Sequence, residues 1–372
     1  MIKMIYLDNA ATTKPDPRVL EAMCGAEEKF YFNSAGLYSG GINSKRELES
    51  AANLIQSRLT RSRSGQLVFT SGATEANNLL VFGKIITPRH RLVVLSGEHS
   101  STYSPSVFLR QNNVQVDYIP LLKNGEADLV ALARLVTPET TLVCFSLVNS
   151  DTGVLQDAKE IVRIIKGISP KTHVHCDAVQ AFCKHDFDVE AMGLDSCAIS
   201  AHKIYGPKGV GALWIRKGVT LRPIMFGGSD HGFRPGTENN AGVIGFARAV
   251  EIFDTYKELN HISTLHAKLV EGLPKLVTLS TGTYSPKNPY IANLLLPVMG
   301  HHMLNALSTK GIFVGLGSAC SSRATKNRTM LAMGLTEKQS KNIIRVSFGR
   351  YNTLDEVEGF LKELASSLEE LL

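Results

Sequence analysis

The sequence predicts an α/β protein, with a large, mostly parallel sheet flanked by helices and a smaller α/β C-terminal unit. Three observations carry this. From residue 67 to residue 176, short aliphatic runs alternate with segments of helical spacing. Several runs are apolar throughout, as in Leu92-Val93-Val94-Leu95, the pattern of strands buried on both faces. After Gly227 the alternation gives way to a long Gly-rich loop and then to a helix-rich pattern.

Each element has its own reason. Residues 4–7 are apolar and read as a short strand, and Asp8-Asn9-Ala10-Ala11-Thr12-Thr13 as a polar turn. Residues 17–30 have helical spacing, 32–43 are rich in Gly, Ser and Asn and read as a loop, and 45–60 form an amphipathic helix. Strands at 67–70, 92–95, 114–119, 142–148 and 173–176 then alternate with helices at 73–84, 102–111, 128–136 and 158–168. Two more strands, 195–199 and 210–215, bracket the turn Ser200-Ala201-His202-Lys203-Ile204-Tyr205-Gly206-Pro207-Lys208-Gly209. Beyond the 227–237 loop, a connecting helix at 240–259 and another at 262–278, broken by Pro274, lead to strands at 291–296 and 343–348 and helices at 303–309 and 354–371.

The chain has 372 residues, of which 44% are hydrophobic and 20% charged, enough for two domains. We place a large domain at residues 15–250 and a smaller one at 251–372 together with 1–14. The net charge of +6 is spread without a run of five basic residues, so no nucleic-acid partner is expected. No apolar run reaches the roughly 18 residues of a membrane span, and the N-terminus lacks the flanks of a signal peptide. Six cysteines without C-x-x-C spacing read as reduced thiols of a cytoplasmic protein. His301-His302 and the set His173, His175, Cys176, Cys183 and His185 match neither a zinc-finger nor an H-E-x-x-H spacing, so no metal is expected.

In a parallel sheet, ligands sit at the carboxyl ends of the strands. Five features fall there. Thr70-Ser71-Gly72-Ala73-Thr74-Glu75 opens a helix with small residues, suited to an anion such as phosphate. His99 can stack on a flat ring, and Asn149 can donate to a ring substituent. Asp177 can pair with a protonated ring nitrogen, or simply cap the next helix. Lys203, set between apolar strands, is placed for a lowered pKa and a nucleophilic amine, with Ser200 and His202 beside it. Together these are the parts that hold pyridoxal 5′-phosphate, whose protonated ring is an electron sink.

With these parts assembled, the sequence resembles a family. Tyr6-Leu7-Asp8-Asn9-Ala10-Ala11-Thr12-Thr13, Thr70-Ser71-Gly72-Ala73-Thr74-Glu75, Asp177-Ala178-Val179-Gln180, His202-Lys203-Ile204-Tyr205-Gly206-Pro207-Lys208-Gly209, Gly317-Ser318-Ala319-Cys320 and Arg345-Val346-Ser347-Phe348-Gly349 are similar to cysteine desulfurases of the NifS/IscS type, within the class V aminotransferases. The resemblance implies fold-type I architecture, pyridoxal phosphate, a homodimer, L-cysteine as substrate and a sulfur-acceptor protein as partner. It implies Lys203 as the Schiff-base lysine, Asp177 as partner of the ring nitrogen, and His99 as the stacking residue and acid or base. Gln180 and Asn149 match positions near the ring hydroxyl and the substrate. Ala73, Thr74, Ser200 and His202 match the phosphate seat, and Thr237 the threonine that reaches the phosphate of the neighbouring subunit. Arg345 matches the arginine that holds the substrate carboxylate, a task its bidentate fork suits. Cys320 matches the cysteine that takes up sulfur, and Arg323, Lys326 and Arg328 nearby favour its thiolate.

The sequence departs from the family at three places. Asn33-Ser34-Ala35-Gly36-Leu37-Tyr38 stands for Asn-Pro-Ser-Ser-x-His, Ser150-Asp151 for Asn-Glu, and Gly300-His301-His302 for a stretch with an acidic residue. Alternatives are a selenocysteine lyase, another class V aminotransferase, which would not need Cys320, and a non-catalytic sulfur-relay protein, against which intact Lys203 and Asp177 argue.

Overall fold

A computed structural model of the chain describes residues 4–227, 233–282, 288–317 and 327–372. In chain order the elements are β1 (Ile5–Tyr6), α1 (Pro17–Lys29), α2 (Ser39–Ser57), β2 (Gln66–Thr70), α3 (Ala73–Lys84), β3 (Arg91–Leu95), α4 (Ser100–Gln111), β4 (Gln115–Ile119), α5 (Leu129–Leu135), β5 (Thr140–Ser146), α6 (Ala158–Ile168), β6 (His173–Asp177), β7 (Ser196–Ser200) and β8 (Gly211–Ile215). A single 3-10 turn, Ala201–Lys203, comes after β7. Then come α7 (Asn240–Glu251), α8 (Thr255–Gly272), β9 (Thr278–Leu279), β10 (Ile291–Leu295), α9 (Gly300–Thr309), β11 (Ile312–Phe313), α10 (Arg328–Ala332), α11 (Glu337–Lys341), β12 (Ile343–Ser347) and α12 (Leu354–Leu371).

Seven strands form the main sheet in the order β2-β8-β7-β6-β5-β3-β4. Strands β7, β6, β5, β3 and β4 run parallel, and β8 is antiparallel to both of its neighbours. Strands β6, β7 and β8 are buried along their whole length, and the polar residues of β6 and β7, His173, His175, Asp177, Ser196 and Ser200, are buried with them. Each fully buried Val, Leu or Ile contributes about 1.5–3 kcal/mol to such a core. One core cluster lies between the sheet and helices that include α2, α6 and α7, and another against α3. A third apolar cluster joins Leu7 and Ala10 to residues of α8, β10, α9, β12 and α12. The first cluster also takes in Met330, Met333 and Ile343 from the C-terminal part.

Two expectations about elements are corrected. Residues 39–43, read as loop, belong to α2, which starts at Ser39. A Cβ on Gly41 would fall 2.3 Å from the Gly36 carbonyl oxygen, so the glycine serves a close backbone approach inside a helix, not a turn. The connecting helix is two: α7 ends at Glu251, and Asp254 caps α8 by accepting from the Lys257 N–H. No helix among the described residues is long and apolar enough to cross a membrane.

The sheet brings the start of α3 to the lysine turn. Thr70, Gly211 and Ser200 lie in register across β2, β8 and β7. A Cβ on Gly211 would meet the Ile199 carbonyl oxygen at 2.7 Å and the Gly72 Cα at 2.8 Å. Gly211→Ala is therefore expected to destabilise the fold by about 1–3 kcal/mol, because backbone must shift. Gly167→Ala, at a helical site where an added Cβ meets nothing within 4 Å, should stabilise it by about 0.5–1 kcal/mol. Chemical denaturation of both variants checks the contrast.

Candidate active site

Strands β7, β6, β5 and β3 are successive parallel neighbours, so their carboxyl ends share one edge of the sheet. Lys203, Asp177, Asn149 and His99 lie at those four ends in turn.

Lys203 is half-buried, and its Nζ donates to the carbonyl oxygens of Ala10 at 2.6 Å and Ala11 at 2.7 Å. The turn that carries it is clamped by the segment at residues 8–16. Thr13 donates to the His202 carbonyl through both its N–H and its hydroxyl, and that hydroxyl oxygen accepts from the Tyr205 N–H. Tyr205 sits at φ 65°, a strained conformation that these bonds hold in place. Loss of hydration, with the nearby cations Arg345 and Lys184, lowers the Lys203 pKa to about 7. A substantial fraction of neutral amine near neutral pH is what a nucleophilic lysine requires. His202, whose Nδ1 lies 3.1 Å from Thr12 Oγ1, has its pKa lowered to about 3 by burial and by Lys203, and is neutral.

Asp177 is buried, its Oδ1 accepting from the Val179 N–H and its Oδ2 from Asn77 Nδ2. Gln180 Nε2 donates to the Ala10 carbonyl, the same oxygen that Lys203 uses, and its Oε1 accepts from Lys184 Nζ. His99 is exposed at the start of α4, with Nδ1 2.8 Å from Ser101 Oγ. Asn149 is buried, with Oδ1 accepting from the Asp151 and Thr152 N–H groups and Nδ2 donating to the Gly97 carbonyl. The loop thus consumes its oxygen, and one hydrogen of Nδ2 remains for a ligand.

Helix α3 begins after Gly72, which supplies no capping side chain and beside which an added Cβ would meet nothing within 4 Å. Its first turn, with half-buried Ala73 and exposed Thr74, leaves N–H groups without an acceptor inside the helix, the arrangement that receives phosphate. Ser200 is buried at the end of β7, in register with Thr70 across β8. Together with an amine that has no carboxylate partner among the described residues and a buried aspartate on the adjacent parallel strand, this donor set fits a phosphorylated, carbonyl-bearing cationic ring.

Arg345 on β12 is buried; Nη2 pairs with Asp8 Oδ1 at 2.8 Å and Nη1 donates to the Ser150 carbonyl at 2.9 Å. Its Nε is buried without a partner among the described residues. Thr237 is exposed and lines, with Ser71 and Arg234, a cavity of about 450 Å³ along β2. Cys320, Arg323 and Lys326 lie outside the described residues. On the near sides of that gap, an added Cβ on Gly317 would touch Asp151 Oδ1 at 2.8 Å, and Thr329 Oγ1 donates to Asp151 Oδ2 at 2.7 Å. Arg328 donates to the Glu98 carbonyl and lies 3.6 Å from the centre of the Tyr103 ring.

Several groups that build the site escape a reading of the sequence alone: Asn77, Ser101, Lys184, Asp8 and the carbonyls of Ala10 and Ala11. An asparagine pair, Asn77-Asn78, inside a helix is a usable signal, because Asn is a weak helix former unless its side chain has work elsewhere. Backbone carbonyls leave no such trace.

The fold and site define a class: a mostly parallel α/β sheet with a lysine-bearing turn and an open helix terminus at one edge. The aminotransferase class-V family model matches residues 5–360. Cysteine desulfurase IscS 1 of Archaeoglobus fulgidus is 33% identical over 99% of this chain and 98% of that relative. A solved NifS-like protein superposes with a TM-score of 0.91 at 33% identity, covering 99% of this chain and 100% of the other. SspA in complex with cysteine aligns at 26% identity with a TM-score of 0.82, over 94% of this chain and 100% of that one. The chain belongs to the class-V aminotransferase family, in its cysteine desulfurase branch.

Proposed function

We propose that this chain is a pyridoxal 5′-phosphate-dependent cysteine desulfurase that moves the sulfur of L-cysteine onto Cys320, forming a persulfide and releasing alanine. In the overall change the substrate's C–S bond breaks and an S–S bond to Cys320 forms. The β-carbon is reduced, the sulfur is oxidised, and no outside oxidant is needed. The observation that carries this reading is Lys203, whose amine faces backbone carbonyls rather than a carboxylate and is poised near neutral pKa.

When bound, the cofactor supplies a carbonyl carbon for amines and a cationic ring that stores the electrons released at the substrate α-carbon. Lys203 would hold the cofactor through Nζ and would carry the α-proton at the same nitrogen. Asp177 would pair with the ring nitrogen, His99 would stack on the ring and serve as acid or base, and Gln180 and Asn149 would donate to its substituents. Ala73, Thr74, Ser200 and His202 seat the phosphate. Arg345 receives the substrate carboxylate. The Cys320 thiolate attacks the substrate sulfur, then passes it to an acceptor protein. Gly317 and Thr329, the described residues near either side of the segment that holds Cys320, both lie beside Asp151.

A second copy of the chain completes the site in this reading. Ser34 Oγ donates to Glu238 beside exposed Thr237, and Leu37 close by in sequence is 94% exposed. We read this face as the one a homodimer covers, with Thr237 directed to the partner's phosphate. Residues 15–250 and the remainder serve as the two domains. Free cysteines at 24, 144, 176, 183 and 197 agree with a cytoplasmic setting.

Cys320→Ala is expected to bind pyridoxal phosphate and show its visible colour, yet release no sulfide from cysteine. Unchanged sulfide release by that variant defeats the assignment. Running the same assay with selenocysteine separates the lyase alternative.

A further inference from the structure

Behind Asp177 a buried hydrogen-bonded chain runs along β6 on the face that α3 covers. We infer that Asn77 and His175 are positioning residues that set the proton arrangement of the site, orienting the Asp177 carboxylate and holding His99 as the neutral tautomer protonated at Nε2. The inference rests on the reading of Asp177 and His99 as cofactor-facing groups.

Asn77 on α3 is fully buried. Its Nδ2 lies 2.8 Å from Asp177 Oδ2 and 2.8 Å from Ser101 Oγ, and its Oδ1 lies 2.9 Å from His175 Nε2. The opposite amide orientation would set its oxygen against the carboxylate, so Nδ2 donates both bonds. An amide oxygen only accepts, hence His175 Nε2 carries hydrogen. His175 is fully buried, and lost hydration lowers its pKa to about 3, so it is neutral and its Nδ1 is bare. That nitrogen takes the hydrogen of Ser196 Oγ at 2.8 Å, and Ser196 Oγ in turn accepts from His173 Nε2 at 2.8 Å. The alternating histidines of β6 thus form a donor line that ends on Asn77.

The other branch reaches His99. Ser101 Oγ accepts from Asn77, which directs its own hydrogen to His99 Nδ1, 2.8 Å away. The backbone N–H of Ser101 also points at that nitrogen, at 3.1 Å. With both Ser101 donors, hydroxyl and backbone, aimed at it, Nδ1 accepts and the ring proton sits on Nε2. Although the ring is exposed, surrounding protein strips enough hydration to lower its pKa, a tendency that Lys203 and Arg328 reinforce and Asp177 and Asp151 oppose. His99 is therefore supplied as a neutral Nε2–H donor on the same hub that holds the ring carboxylate.

Nitrogen-15 NMR of the cofactor-free protein reads the His99 tautomer directly. The expected result is the Nε2–H form in the native chain. His175→Leu, which leaves Asn77 Oδ1 without a donor, should give a tautomer mixture at His99 and weaken pyridoxal phosphate binding about tenfold. His175→Gln, whose amide can still donate to Asn77, should restore both. An Nδ1–H tautomer in the native chain overturns the inference, whether or not any variant folds. So does a His175→Leu protein that matches the native one in both readouts. If His99 shows the Nε2–H form but pyridoxal phosphate does not bind, the functional reading fails and the proton arrangement stands.

Discussion

Lys203→Ala is expected to lower alanine release from cysteine by about 10³–10⁴-fold or more, since one nitrogen serves as nucleophile and as base. Lys184, the other buried lysine nearby, has its ammonium on Gln180 Oε1 and over the Tyr290 ring, 5.2 Å from its centre. The same position has a second, independent signature in stability. The folded-state pKa of Lys203 is about 7, below the ordinary lysine value of 10.5, so the unfolded chain binds more protons between those limits. That group therefore makes the native cofactor-free protein gain stability as pH rises from about 7 toward 10.5. Lys203→Met should remove this slope, so the variant's stability relative to the native chain falls as pH rises through that window. Denaturant titrations at about pH 6, 8 and 10 read it.

Arg345→Leu is expected to lower kcat/KM for cysteine by roughly 30- to 700-fold, mostly through KM, the equivalent of about 2–4 kcal/mol for a lost buried carboxylate contact. Its guanidinium is oriented before substrate arrives. Asp8 and the Ser150 carbonyl hold two of its nitrogens, and Nε is buried without a partner among the described residues. Gly315 permits the pairing with Asp8, since a Cβ there would fall 2.6 Å from Asp8 Oδ1. Arg345→Lys should recover only part of the loss, because an ammonium cannot reproduce the planar fork. Steady-state kinetics on both variants checks the order native, Lys, Leu.

Much of this site was legible in residue order. Lys203, Asp177, Asn149 and His99 each sit at the end of a strand whose apolar run is visible, and parallel topology puts such positions on one edge. The rest depends on contacts distant in sequence. Gly40 and Gly41 look like loop residues, yet they lie inside α2, where the Gly36 carbonyl packs against Gly41. The break between α7 and α8 carries only one capping aspartate in an otherwise helical pattern. Asn77 and Asp177 are 100 residues apart, and neither implies the other until the sheet is assembled. The carbonyls of Ala10 and Ala11 are defined by where the chain passes, not by the side chains it bears.

The most direct test combines pyridoxal phosphate with the purified protein, reduces the mixture with borohydride, and maps the modified peptide by mass spectrometry. The expected product is a single adduct on the peptide containing Lys203, formed with loss of the visible band and absent from Lys203→Ala. An adduct on Lys184 or scattered over surface lysines, with Lys203 unmodified, contradicts the account at its base.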